Sequence, residues 1–163
     1  MKVLVVGYSR SGTTLSVAKR IAELLGADLE LIRERTSRRG ILGLLRSGYE
    51  ASMRKTPPIE EPEHDPSAYD LVVVGTPIWA GRMSSPVRAY LTRMRGSLKR
   101  VAFFCTSGGG GHKKALSEMA RVAGAKPIAT LELTSDQIKR NEYSNALRDF
   151  VTALKRAKED IVG

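Results

Sequence analysis

Short apolar runs alternate with amphipathic stretches from one end of the chain to the other. Val3-Leu4-Val5-Val6, Leu29-Glu30-Leu31-Ile32, Leu71-Val72-Val73-Val74, Val101-Ala102-Phe103-Phe104 and Ile128 to Leu133 read as five strands. The first, third and fourth are continuously apolar, as expected when helices cover both faces of a parallel sheet. Between them, Leu15, Ala18, Ile21, Ala22 and Leu25 share one helical face that stops at Gly26. Leu116, Met119, Ala120 and Ala123 do the same before Gly124. A glycine just past such a stripe suits a left-handed helix cap. Tyr143, Ala146, Leu147, Phe150, Val151 and Leu154 form the last and clearest stripe.

Two stretches are less regular. Residues 40–53 place Leu42, Leu45, Tyr49 and Met53 on one face, with three glycines that weaken a helix. Pro57 to Pro66 holds four prolines with Glu60, Glu61, Glu63 and Asp65, a surface connection. No repeat or second-domain boundary interrupts the pattern, so residues 1–163 are expected to form one α/β domain around a doubly wound sheet.

In such a sheet all parallel strands end at one edge, and ligands bind there. Three loops at that edge carry the chemistry. Gly7-Tyr8-Ser9-Arg10-Ser11-Gly12-Thr13-Thr14 leaves a strand and opens a helix, so free backbone amides and the helix dipole favour an anion. Ser9, Ser11, Thr13 and Thr14 add hydroxyls, Gly12 lets the backbone approach and Arg10 supplies a cation. A hydrogen bond to a charged phosphate contributes about 1.5–3 kcal/mol. The loop is not a Walker motif, because Thr13 stands where the lysine belongs. A dinucleotide fingerprint needs glycine where Ser9 stands. A phosphatase loop built on Cys105 needs arginine where Gly111 stands.

The second loop, Gly75-Thr76-Pro77-Ile78-Trp79-Ala80-Gly81, holds the only tryptophan, expected to lie exposed and stack on a planar ligand. The third, Thr106-Ser107-Gly108-Gly109-Gly110-Gly111-His112, bares backbone amides where a flat edge can approach. His112 would there favour a reduced, negatively charged ligand; otherwise it is a solvated first-turn histidine.

Ser9 to Thr14 resembles the flavodoxin phosphate loop, [ST]-x-[ST]-G-x-[ST]. Gly75 to Gly81, continuing to Pro86-Val87, resembles the second loop of the same family. The resemblance runs along essentially the whole chain and implies strand order 2-1-3-4-5 and FMN as cofactor. It implies that Ser9 to Thr14 hold the FMN phosphate. Thr76 to Gly81 would flank the isoalloxazine, and Thr106 to Gly111 with His112 would line its pyrimidine edge. The flavin carries the redox chemistry, so no catalytic residue and no metal are expected. The implied role is electron transfer. An NAD(P)H-dependent FMN or quinone reductase is the alternative, because the third loop lacks an aromatic residue to cover the flavin. A binding module without a redox role is a further one.

Composition changes this picture in two ways. One cysteine, Cys105, permits no internal disulfide and reads as an inert buried thiol, which points to a reducing cytoplasm. No apolar run is long enough for a signal peptide or membrane span. The net charge of +10 departs from the acidic balance typical of flavodoxin electron carriers. Arg33, Arg35, Arg38 and Arg39, with Arg82, are expected to form a basic rim at the binding edge. The acidic connection Glu60 to Asp65 should lie at the opposite one. Such a rim would attract an acidic redox protein or an anionic small molecule. Nucleic acid is disfavoured, since no stripe of aromatic and basic residues appears. His64 is expected to be a plain surface residue.

Overall fold

The computed structural model describes residues 1–162. Its five parallel strands are β1 (Val3–Gly7), β2 (Asp28–Leu31), β3 (Leu71–Trp79), β5 (Val101–Ser107) and β6 (Thr130–Thr134). They lie in the order β2-β1-β3-β5-β6, and the two-residue β4 (Arg82–Met83) pairs antiparallel with β3. With β4 set aside, this is the expected order 2-1-3-4-5.

Alternate residues of each central strand enter opposite cores, which is why the strands are apolar throughout. Val3, Val5, Val73, Ala102 and Phe104 pack with α1 (Thr13–Leu25) and α6 (Ser144–Val162). Leu4, Val6, Val72, Val74 and Phe103 face the other way. They meet α3 (Ser85–Met94) and α4 (His112–Ala123), with α2 (Gly40–Ser52) beyond. Burying each such valine, leucine or phenylalanine contributes about 1.5–3 kcal/mol. The last stripe docks through Tyr143, Leu147, Phe150, Val151 and Leu154, while Ala146 stays exposed.

Three segments differ from expectation. A short helix, α5 (Ser135–Lys139), follows β6 because Thr134 and Gln137 form a capping box. The stretch 40–53 is helical over Gly40–Ser52, but its side facing the sheet is Gly43, Ser47 and Ala51. The acidic connection is not confined to the far edge. Glu60 donates its N–H to the Arg33 carbonyl at 2.7 Å, and Glu34 bridges Ile59. From there the segment descends beside β2, where the His64 N–H donates to the buried Glu30 carboxylate at 2.8 Å. His64 Nδ1 lies 3.3 Å from the same oxygen, so His64 is a half-buried tie rather than a plain surface residue.

Candidate functional site

The loop between β1 and α1 keeps its donors toward solvent. Ser9, half-buried, accepts the Gly12 N–H at 2.8 Å and so folds the loop into a cup. The first helical bond runs from the Ser16 N–H to the Gly12 carbonyl. The amides of Thr13, Thr14 and Leu15 therefore precede the helix ladder and are free to face an anion. Ser11 Oγ and Thr13 Oγ1 stand 3.4 Å apart beside them, and Arg10 is exposed. The hydroxyl of Thr14 belongs elsewhere: it is buried and bonds Thr106 Oγ1 at 2.9 Å.

The second loop is not a loop over most of its length. Thr76, Pro77, Ile78 and Trp79 continue β3 and turn back into β4 through Ala80 and Gly81. Both turn residues have positive φ, 50° and 71°, as a two-residue hairpin turn requires. Thr76 is buried and accepts the Ser84 N–H at 3.0 Å, closing the hairpin from inside. Trp79, expected to be exposed, is only 9% accessible. Its ring meets the edge of Tyr8 at 5.5 Å between centroids, and the Arg38 guanidinium covers it at 4.9 Å. The ring packs into the core because these two neighbours, distant in sequence, enclose it.

The third loop begins later than expected, since β5 extends through Thr106 and Ser107. Gly108, Gly109, Gly110 and Gly111 are exposed. A Cβ on Gly111 would lie 2.8 Å from Gly81 Cα, so only glycine lets this loop close against the hairpin turn. His112 starts α4, and its Nε2 lies 2.7 Å from Ser107 Oγ. The ring is thus tied to the loop rather than freely solvated.

Arg38 organises what lies beyond. It is buried, and its guanidinium binds both oxygens of Glu34, Nε to Oε2 and Nη2 to Oε1, at 2.6 Å each. The same Nη2 reaches Glu50 and lies 3.2 Å from Ser85 Oγ, while Nη1 reaches Ser47 Oγ at 3.3 Å. Burial opposes the charge on Arg38, but its hydrogen bonds to both carboxylates and their charges outweigh it and raise its pKa. For Glu50, burial is likewise outweighed by bonds from Arg38, Ser85 and Arg46, and its pKa falls. Tyr8 donates its hydroxyl to Glu34 at 2.8 Å; burial and that carboxylate push the phenol's pKa upward.

This network removes part of the expected rim. The loop after β2 does reach the binding edge: Ser37, Arg38, Arg39 and Gly40 face Tyr8, Ser9 and Arg10 across a concavity of about 340 Å³. Arg38, however, is consumed inside. Arg82 is half-buried and bonds Glu118 at 3.0 Å beside the buried Arg88, so it too is no free cation. Arg33, Arg35 and Arg39 remain exposed. Tyr8, Glu34, Glu50 and Ser85 were missed by sequence reasoning. Only Glu34 and Arg38, four residues apart, left a local trace.

A model of the flavodoxin family matches residues 2–149. Among solved structures, a Lactobacillus acidophilus flavoprotein in complex with FMN is 25% identical, with a TM-score of 0.68 over 88% of this chain and 98% of its own. The flavodoxin, WrbA-like protein of Agrobacterium tumefaciens is 16% identical, with a TM-score of 0.60 over 97% and 98%. Two-electron reduced Megasphaera elsdenii flavodoxin is 19% identical, with a TM-score of 0.58 over 93% and 98%. The last two share the fold. No curated protein matches. With its strand order, its hydroxyl-lined first turn and a family match spanning the whole sheet, the chain belongs to the flavodoxin family.

Proposed function

We propose that the protein binds FMN at the carboxyl edge of its sheet and transfers electrons through it. The observation that carries this reading is the cup formed by Ser9 to Thr13. Free first-turn amides, two neighbouring hydroxyls and an exposed arginine form a donor set that fits a phosphate group. The similar Lactobacillus acidophilus protein, structured with FMN, supports the choice of ligand.

Bound there, FMN supplies the electron-accepting and electron-donating chemistry. The protein's own residues bind and orient it. Ser9, Ser11, Gly12 and Thr13, with the Thr14 amide, hold the phosphate. The hairpin from Thr76 to Gly81 forms a wall, with Pro77, Ile78, Ala80 and Gly81 accessible and Trp79 buried beside them. Ser107 through Gly111 offer amides to the ring edge, and Ser107 orients His112. Thr14, Thr76 and Thr106 serve through internal bonds. The exposed Arg10, Arg35 and Arg39 favour an acidic redox protein or an anionic small molecule as electron partner.

The open glycine loop favours a second reading, a reductase that takes hydride from NAD(P)H and passes electrons to FMN or a quinone. A lone Cys105, buried, suits a reducing cytoplasm.

The test is an optical titration of the purified protein with FMN and with riboflavin. FMN is expected to bind at least about tenfold tighter, equivalent to one phosphate hydrogen bond. Equal affinity would remove the phosphate cup from the proposal, and no binding of either would leave a module without redox chemistry. Bleaching of the holoprotein by NADH or NADPH alone would select the reductase reading.

A further inference from the structure

α2 is inverted relative to an ordinary surface helix. Gly43, Ser47 and Ala51, spaced by four, face the sheet and are all buried. A Cβ on Gly43 would lie 2.1 Å from the Arg38 carbonyl oxygen, so small residues are what allow this contact. At 100° per residue, Ile41, Leu42, Leu45, Tyr49 and Met53 fall on the opposite half of the helix. They are exposed there, Ile41 at 77% and Leu42 at 82%, and Leu44 is exposed at the flank. Soluble surfaces rarely gather so much aliphatic area on one element without using it.

The charge around this face is of one sign. Residues 33–55 contain seven cations and two carboxylates. Both carboxylates, Glu34 and Glu50, are bound by Arg38. Arg33, Arg35, Arg39, Arg54 and Lys55 are exposed, and no ion pair engages them among the described residues. Two copies packed through this face about a twofold axis would press like rims together. A bilayer with anionic head groups satisfies both features. Its acyl boundary takes the aliphatic half-cylinder without needing a shaped groove, and its head groups meet cations at both ends of the helix.

We infer that α2 is a membrane-surface anchor that docks the protein on anionic lipid. The inference rests on α2 and its flanks alone, and its measurement uses no flavin signal.

The experiment is co-sedimentation of the full chain with vesicles of phosphatidylcholine alone or mixed equally with phosphatidylglycerol. Binding to the mixed vesicles only is expected. Leu42→Glu with Leu45→Glu, both at exposed positions, should weaken it more than tenfold with unchanged circular dichroism. Each of Arg39→Ser, Arg54→Ser and Lys55→Ser should weaken it about fivefold, the equivalent of one surface cation. As a check independent of those variants, a polarity-sensitive dye on Leu45→Cys should shift to the blue with mixed vesicles. Absence of binding, equal binding to neutral vesicles or an unmoved dye would overturn the inference. So would a concentration-dependent dimer that Leu42→Glu with Leu45→Glu dissociates.

Discussion

The guanidinium of Arg38 lies 4.9 Å from the ring centroid of Trp79 while its nitrogens hold Glu34 and Glu50. One buried cation thus joins the loop after β2, helix α2 and the hairpin at the end of β3. Removing one partner of a buried ion pair leaves the other charge uncompensated, which costs about 3–5 kcal/mol. Arg38→Ala is expected to lose stability in that range by denaturant unfolding. Arg38→Lys should fall between, because an ammonium cannot reproduce the planar fork. A loss under about 1 kcal/mol would make the network a surface ornament.

Trp79 separates two roles by stability alone. A ring that only stacks on a ligand is neutral in the ligand-free protein. A ring enclosed by Tyr8 and Arg38 belongs to the core, and Trp79→Ala is then expected to cost about 3–5 kcal/mol. Thermal unfolding without added flavin measures this, and an unchanged melting temperature would return the ring to solvent.

Acid should unfold the protein through its paired carboxylates. Burial raises the pKa of Glu118, but bonds and charge from Arg88 and Arg82 outweigh it, and the value falls below the ordinary 4.5, as it does for Glu50. A carboxylate depressed in the folded state adds stability that is complete above its unfolded value. That stability is lost as pH falls through the lower folded value. The denaturant midpoint should therefore stay level down to about pH 5 and fall below it. Glu118→Gln should lower the midpoint at neutral pH and flatten the acid slope.

Cys105 is expected to be inert in the native protein. Burial, then the nearby Glu132 charge, pushes its thiol up to about 12, so almost no thiolate exists at neutral pH. Maleimide or iodoacetamide should label it only after denaturation. Labelling of the native protein at neutral pH would show that β5 opens.

Arg35→Ser with Arg39→Ser should slow electron exchange with an acidic partner severalfold at low salt, leaving FMN affinity nearly intact. The difference should vanish near 1 M salt, where the Debye length is about 3 Å. Stopped-flow rates across ionic strength measure it; insensitivity to both salt and substitution would remove the steering role.

The central strands were readable because both faces are buried: Val3 to Val6, Leu71 to Val74 and Val101 to Phe104 leave no other periodicity. The hydroxyl-lined turn after β1 was readable because its hydroxyls and glycine are contiguous. The burial of Trp79 was hidden because Tyr8 and Arg38, which enclose it, lie 71 and 41 positions away in the chain. The stripe of α2 was readable as a helix but not as an outward one, since Gly43, Ser47 and Ala51 give no apolar signal for the face that packs. Hydroxyl roles were also hidden: Thr13 and Thr14 look alike in sequence, and only packing turns one outward and the other toward Thr106.

That last contact, between Thr14 and Thr106, spans 92 positions and is fully internal. It fastens the start of α1 to the end of β5. The entropy of aligning the two rims is therefore spent during folding, and a ligand arriving there meets a preorganised frame. A frame already aligned adds no such ordering cost on binding, so part of the affinity for any ligand seated at that edge is set by the fold itself.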